Sequence, residues 1–167
     1  MRRSRTVASL VFLLFFSSLS YTAPLITSDI DSALNAAESF FKAMESKDYQ
    51  SIWSLLTERS KDVIIKDVIK AERDRGKPDL TKQGVGVDFS SGGPISRTYW
   101  NAFLDNFNPD AVLAQSKWEV GRFEKNRGEI AIRYRKSEGP AVLQMYKEQG
   151  LWKVGLVETF WSRKPTG

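Results

Sequence analysis

The chain has 167 residues, 41% of them hydrophobic and 27% charged. That is enough for one domain whose core needs no covalent staples, and too polar for an integral membrane protein throughout. It contains neither cysteine nor histidine. Disulfides, thiol nucleophiles, Cys- or His-based metal sites and imidazole bases are therefore excluded, and any catalysis would fall to carboxylates, Lys, Tyr, Ser or Thr. No metal and no cofactor is expected.

Residues 1–20 carry a positive start (Arg2, Arg3, Arg5), an apolar stretch from Val7 to Leu19, and the small residues Ser17, Ser18 and Ser20. This is the layout of a secretory signal peptide, and the apolar run is too short to span a bilayer comfortably. Cleavage after Ser20 would leave a chain starting at Tyr21, with 21–27 as a short linker and no membrane span. An uncleaved anchor is the alternative. Loss of the three arginines lowers the net charge from +5 to +2, which removes the main support for nucleic-acid binding. An exported protein without cysteine suits a bacterial periplasm.

In chain order, residues 28–46 read as an amphipathic helix. Leu34, Ala37, Phe41 and Met44 recur at helical spacing beside Phe40, and Ser28, Asp29 and Asp31 supply capping and acidic first-turn residues. A short helix at 49–57 follows. A third, at 61–75, is capped by Ser60, with Val63, Ile64, Val68 and Ala71 inward and a solvated face of mixed charge that includes Asp67. Residues 79–93 are rich in glycine, and the alternation of Val85, Val87 and Phe89 predicts one short strand. Pro94 suits the first position of a helix over 94–107.

From residue 112 the pattern changes to period two. Strands are predicted near 114–124, 128–136, 140–148 and 151–161, joined by short breaks that imply an antiparallel meander. The fold class is α+β: helices at the N-terminal side packed on a curved antiparallel sheet of four to five strands, as one domain over 28–162 with a tail at 163–167. Parity places Trp118, Val120, Ile130, Ile132, Tyr134, Leu143, Met145, Trp152, Val154, Leu156 and Phe160 on the inner face. Lys117, Glu119, Glu129, Arg133 and Lys153 fall on the outer one. Arg122 and Glu158 also fall inward, where a charge needs a partner, a ligand or an exit to water; an Arg122–Glu158 pair is the simplest arrangement. Trp53, Tyr99, Trp100, Phe103, Trp118 and Phe160 supply more aromatic bulk than a small core requires. They either fill that core or wall a pocket for a small apolar ligand.

The segments Ala36–Met44 with Lys47-Asp48-Tyr49, and Tyr146–Gly155 with its Gly150-Leu151-Trp152-Lys153-Val154 strand, resemble the opening helix and last hairpin of the nuclear transport factor 2-like superfamily. The resemblance spans about residues 30–161 in element order. It implies a cone-shaped domain with a pocket at its wide end and a homodimer surface on the sheet. That superfamily holds both binders and enzymes, and its isomerase members pair a carboxylate base with a tyrosine. Glu158 and Tyr134 are the candidates for those catalytic roles here. The residues thus leave three functions: a non-catalytic module that binds a small apolar or mixed ligand or a protein partner; an isomerase or lyase using Glu158 and Tyr134; or a structural domain with a filled core.

Overall fold

The computed structural model describes residues 23–76, 79–135 and 137–160; the segments read as signal peptide and as tail lie outside them. Helices α1 (Ala23–Glu45), α2 (Tyr49–Ser54), α3 (Glu58–Asp74), α4 (Lys82–Ser91), α5 (Pro94–Leu104) and α6 (Pro109–Gln115) precede the strands. Strands β1 (Ser116–Phe123), β2 (Arg127–Tyr134), β3 (Ala141–Glu148) and β4 (Leu151–Gly155) form one antiparallel sheet in chain order, and a short helix α7 (Leu156–Phe160) closes the described chain. The class is α+β, with helices first and an open four-stranded sheet after them.

Helix α1 covers the inner face of the sheet. Its buried stripe of Ala33, Ala37, Phe40, Phe41 and Met44 meets Ile130, Ile132, Leu143, Met145, Trp152 and Val154 from the strands. The helix starts at Ala23, inside the segment expected to be a linker, with Pro24 in its first turn, where a missing N–H costs nothing. Asp29 fastens this end to the sheet. It accepts hydrogen bonds from Lys147 Nζ at 2.5 Å and from Trp152 Nε1 at 3.3 Å. These donors hold its carboxyl below the ordinary value of 3.8.

The free edge of β4 is closed by the α2–α3 connection. Leu56 forms a single parallel bridge to Val154; Thr57 N donates to Val154 O and Val154 N to Leu55 O. The same connection covers Lys153, whose Nζ donates to Ser54 O at 2.6 Å and whose pKa is lowered by burial. The outer face is therefore only partly solvated at Lys153, where full solvation was expected.

Several local expectations are corrected. Residues 85–89 are helical, not a strand: α4 buries Val85 and Phe89, one turn apart, and exposes Val87. Tertiary burial overrides the poor helix propensity of Gly84 and Gly86. Between the helix predicted over 94–107 and the first strand lies a further helix, α6, with Asn108 as its N-cap and Pro109 as its first residue. Helix α3 is capped by Thr57, not Ser60. The fourth strand ends at Gly155. Beyond it, Ser60 Oγ accepts from Val157 N and Thr159 Oγ1 donates to Gly155 O, so side chains replace the ladder and 156–160 coils into α7.

Parity also fails in β1. A bulge lies between Val120 and Phe123, so Phe123 pairs with Gly128 and turns inward onto the Trp152 ring at 5.4 Å. A Cβ on Gly128 would lie 2.5 Å from the Phe123 ring, so only glycine admits this packing. Arg122 is thereby turned to the outer face, where it is exposed beside Glu124, Arg127 and Glu129.

Trp152 is buried at the centre of the inner layer, so Trp152→Ala should cost about 3–5 kcal/mol in urea unfolding. Arg133→Ala, on the exposed outer face of β2, should cost less than about 0.5 kcal/mol. Lys153→Ala should be measurably worse than Arg133→Ala, because it strips the donor from Ser54 O. Equal losses for Trp152→Ala and Arg133→Ala would contradict this packing.

Candidate functional site

The candidate site is a groove of about 680 Å³ between α3 and α5, not a cavity beneath the sheet. Its volume lies in the range of small-molecule sites. Helix α3 contributes Asp67, Val68, Ala71, Glu72 and Arg75, and α5 contributes Pro94, Ile95, Thr98, Tyr99, Ala102 and Phe103. Both sets follow helical spacing, so each helix presents one continuous face to the groove.

The groove exists because α4 packs against both α3 and α5 and holds them apart. Gly86 of α4 faces α3, where an added Cβ would make ordinary contact with Ile65 Cδ1 at 3.6 Å. At the other end, the α4–α5 corner is built from Gly92, with φ +64, and Gly93. Gly93, the N-cap of α5, has no side chain to cap it, and Asp88 does so instead by accepting from Ser96 N at 2.7 Å and Ile95 N at 3.3 Å. A Cβ on Gly93 would sit 2.3 Å from the Asp88 carboxylate. Small residues do the rest: Ala71 and Ala102 leave space that a larger pair would fill.

The groove is apolar along its floor and charged at one side. Glu72 pairs with Arg75 at 2.7 Å. Asp67 makes no ion pair and no hydrogen bond among the described residues, and it lies near enough to Tyr99 to act on it. The Tyr99 phenol is pushed up to about 12, first by burial and then by the Asp67 charge. At neutral pH it is a protonated donor and not a base.

Of the residues expected to form a site, the structure brings only Tyr99 and Phe103 to this groove. Trp100 lies on the opposite, core-facing side of α5, fully buried with Ser96 one turn before it; the Trp100 Nε1 and Ser96 Oγ atoms have no hydrogen-bond partner among the described residues. Trp53 is core, its ring 4.6 Å from that of Phe89. Trp118 is half-buried against Phe41, and its Nε1 donates to Val112 O. Phe160 is 43% exposed at the end of α7. Tyr134 ends β2 opposite Ser116. Glu158 follows Gly155, which pairs with Gln144, which in turn pairs with Glu129. Tyr134 is thus two strands away and, at about 3.4 Å per residue, roughly 17 Å further along β2. Glu158 and Tyr134 do not form one site, and neither does Arg122 with Glu158.

Glu158 is buried at the N-terminus of α3. Its Oε1 accepts from Thr57 Oγ1 at 3.0 Å and its Oε2 from Ser60 Oγ at 2.7 Å. Thr57 Oγ1 in turn accepts from Ser60 N, and Ser60 Oγ from Val157 N. Each hydroxyl relays a backbone N–H to the carboxyl group, and the partial positive charge of the helix start reinforces the arrangement. This network ties α3, α7 and the β4 edge together. It does not line the groove.

The lining residues of α3 were missed because Asp67 sat in a run of alternating charges that reads as a solvated face. The available signal was on α5, where Ile95, Tyr99, Trp100, Phe103 and Leu104 cover an apolar arc too wide for one core contact. Among the described residues no group of three or more Asp or Glu side chains is arranged to hold a metal. No described helix is long and apolar enough to cross a membrane.

If Glu158 is held by hydroxyls, Ser60→Ala should destabilise by about 1.5–3 kcal/mol, the range for a hydrogen bond to a charged group. A double-mutant cycle of Ser60→Ala with Glu158→Gln should show coupling above about 0.5 kcal/mol, whereas the cycle of Arg122→Ala with Glu158→Gln should show none. Coupling of Arg122 and not Ser60 in urea unfolding would overturn the assignment.

No protein-family model matches the chain. No curated protein and no solved structure matches it either.

Proposed function

We propose that this chain is an exported, non-catalytic binding module of the nuclear transport factor 2-like kind, and that its ligand is a small molecule with an apolar body seated between α3 and α5. The observation that carries this reading is the groove itself. It has the volume of a ligand site, a floor of Val68, Ala71, Ile95, Ala102 and Phe103, and a geometry imposed by α4. Helices kept apart by a third element cannot close the gap by packing together, so the apolar faces remain available to a ligand.

The isomerase or lyase reading required Glu158 near a tyrosine in a pocket. Glu158 instead accepts from Thr57 and Ser60 inside the fold, and Tyr134 is on another part of the sheet. The filled-core reading fits the space under the sheet, where Phe40, Met44, Ile130, Leu143, Met145 and Trp100 are fully buried, but does not account for the α3–α5 groove. Export rests on the sequence of residues 1–20, and kinship with the superfamily on the residues of the opening helix and last hairpin.

Titration of the methyl-labelled protein with 4-phenyl-1-butanol, a neutral probe of suitable size, tests the site. Methyl resonances of Val68, Ala71, Ile95 and Ala102 should shift together and saturate, and Ala102→Trp should abolish the effect. Shifts confined to exposed Val87 and Val120, or none at millimolar probe, would reject it.

A further inference from the structure

We infer that the ligand of this groove is a cation, an ammonium or guanidinium group on an apolar or aromatic body, with its charge at Asp67 beside the Tyr99 ring. This rests on the reading of the groove as a small-molecule site and adds the chemistry of the ligand's head.

The charges at the groove are not equivalent. Arg75 is paired with Glu72 at 2.7 Å. Elsewhere on α3, Lys66 is held by Asp62 and Lys61 by Glu58. Of the two lining carboxylates, Asp67 has no ion-pair partner among the described residues, and it stands where α3 faces the aromatic wall of α5. A carboxylate next to an aromatic ring is how proteins bind organic cations: the carboxylate supplies charge and the ring face its quadrupole, while the flanking apolar surface takes the ligand's body. Tyr99 keeps its proton, so its ring stays a neutral partner across the physiological range. Among the described lining residues there is no lysine or unpaired arginine to offset Asp67 for an anionic head.

The test compares three probes of one shape: 4-phenylbutylammonium, 4-phenyl-1-butanol and 4-phenylbutyrate, by calorimetry on the purified protein at low salt. The ammonium should bind about tenfold tighter than the alcohol, as an exposed ion pair and one cation–π contact together predict, and the butyrate weaker than both. Asp67→Asn should bring the ammonium to the affinity of the alcohol and leave the alcohol unchanged. Raising the salt to about 0.5 M should shrink the preference in the parent protein. If the alcohol binds but the ammonium binds no tighter, or if the preference survives Asp67→Asn, the cation assignment falls and the apolar groove stands. If none of the three binds, or if all bind equally well to Ala102→Trp, the groove reading falls and the cation assignment with it.

Discussion

The Asp88 carboxylate sets the geometry on which the candidate site depends. It leaves α4 and caps the first turn of α5 through Ser96 N and Ile95 N, in a space that exists only because residue 93 has no Cβ. That bond fixes where α5 begins and how it is rotated, and rotation decides which residues meet the core and which meet solvent. With the corner set, Trp100 and Ser96 turn into the interior and Tyr99, Ala102 and Phe103 turn out towards α3. Burial of Phe89 against Trp53 and Tyr99 keeps α4 in place as the spacer. The groove is thus a consequence of packing on its far side and needs no ligand to hold it open.

A second constraint joins the halves of the chain. The connection 55–57 bonds to the edge of β4, which brings the start of α3 to the end of the sheet. Once Thr57 and Ser60 lie there, Glu158 has two hydroxyl donors and a helix N-terminus, and burying it is tolerable. A carboxylate that looked like a catalytic base by its apolar neighbours is explained as a clasp between α3 and α7.

How much of this was legible in the sequence follows from the range of the interactions. The α+β class, the opening helix and the hairpins were readable because periodicity and turn chemistry are local. The inner-face residues Ile130, Ile132, Leu143, Met145, Trp152 and Val154 followed from alternation alone. Alternation then failed at Arg122, since a bulge shifts parity by one and its cause, Phe123 lying over Gly128, is a cross-strand contact. It failed again beyond Gly155, where hydroxyls from distant residues replaced the ladder. The segment 84–93 reads as turns around a short strand for the same reason: what makes it helical is its burial against α2, α3 and α5. The groove was invisible because it lies between helices whose separation is set by a third.

The proposed ligand site lies between α3 and α5 and not under the sheet. Photolabelling with a diazirine-bearing phenylalkyl probe, followed by peptide mapping, tests it most directly. The account predicts label on peptides from 58–75 and 94–104, competed away by the unmodified probe. Label concentrated on the strands between 116 and 155 would contradict it.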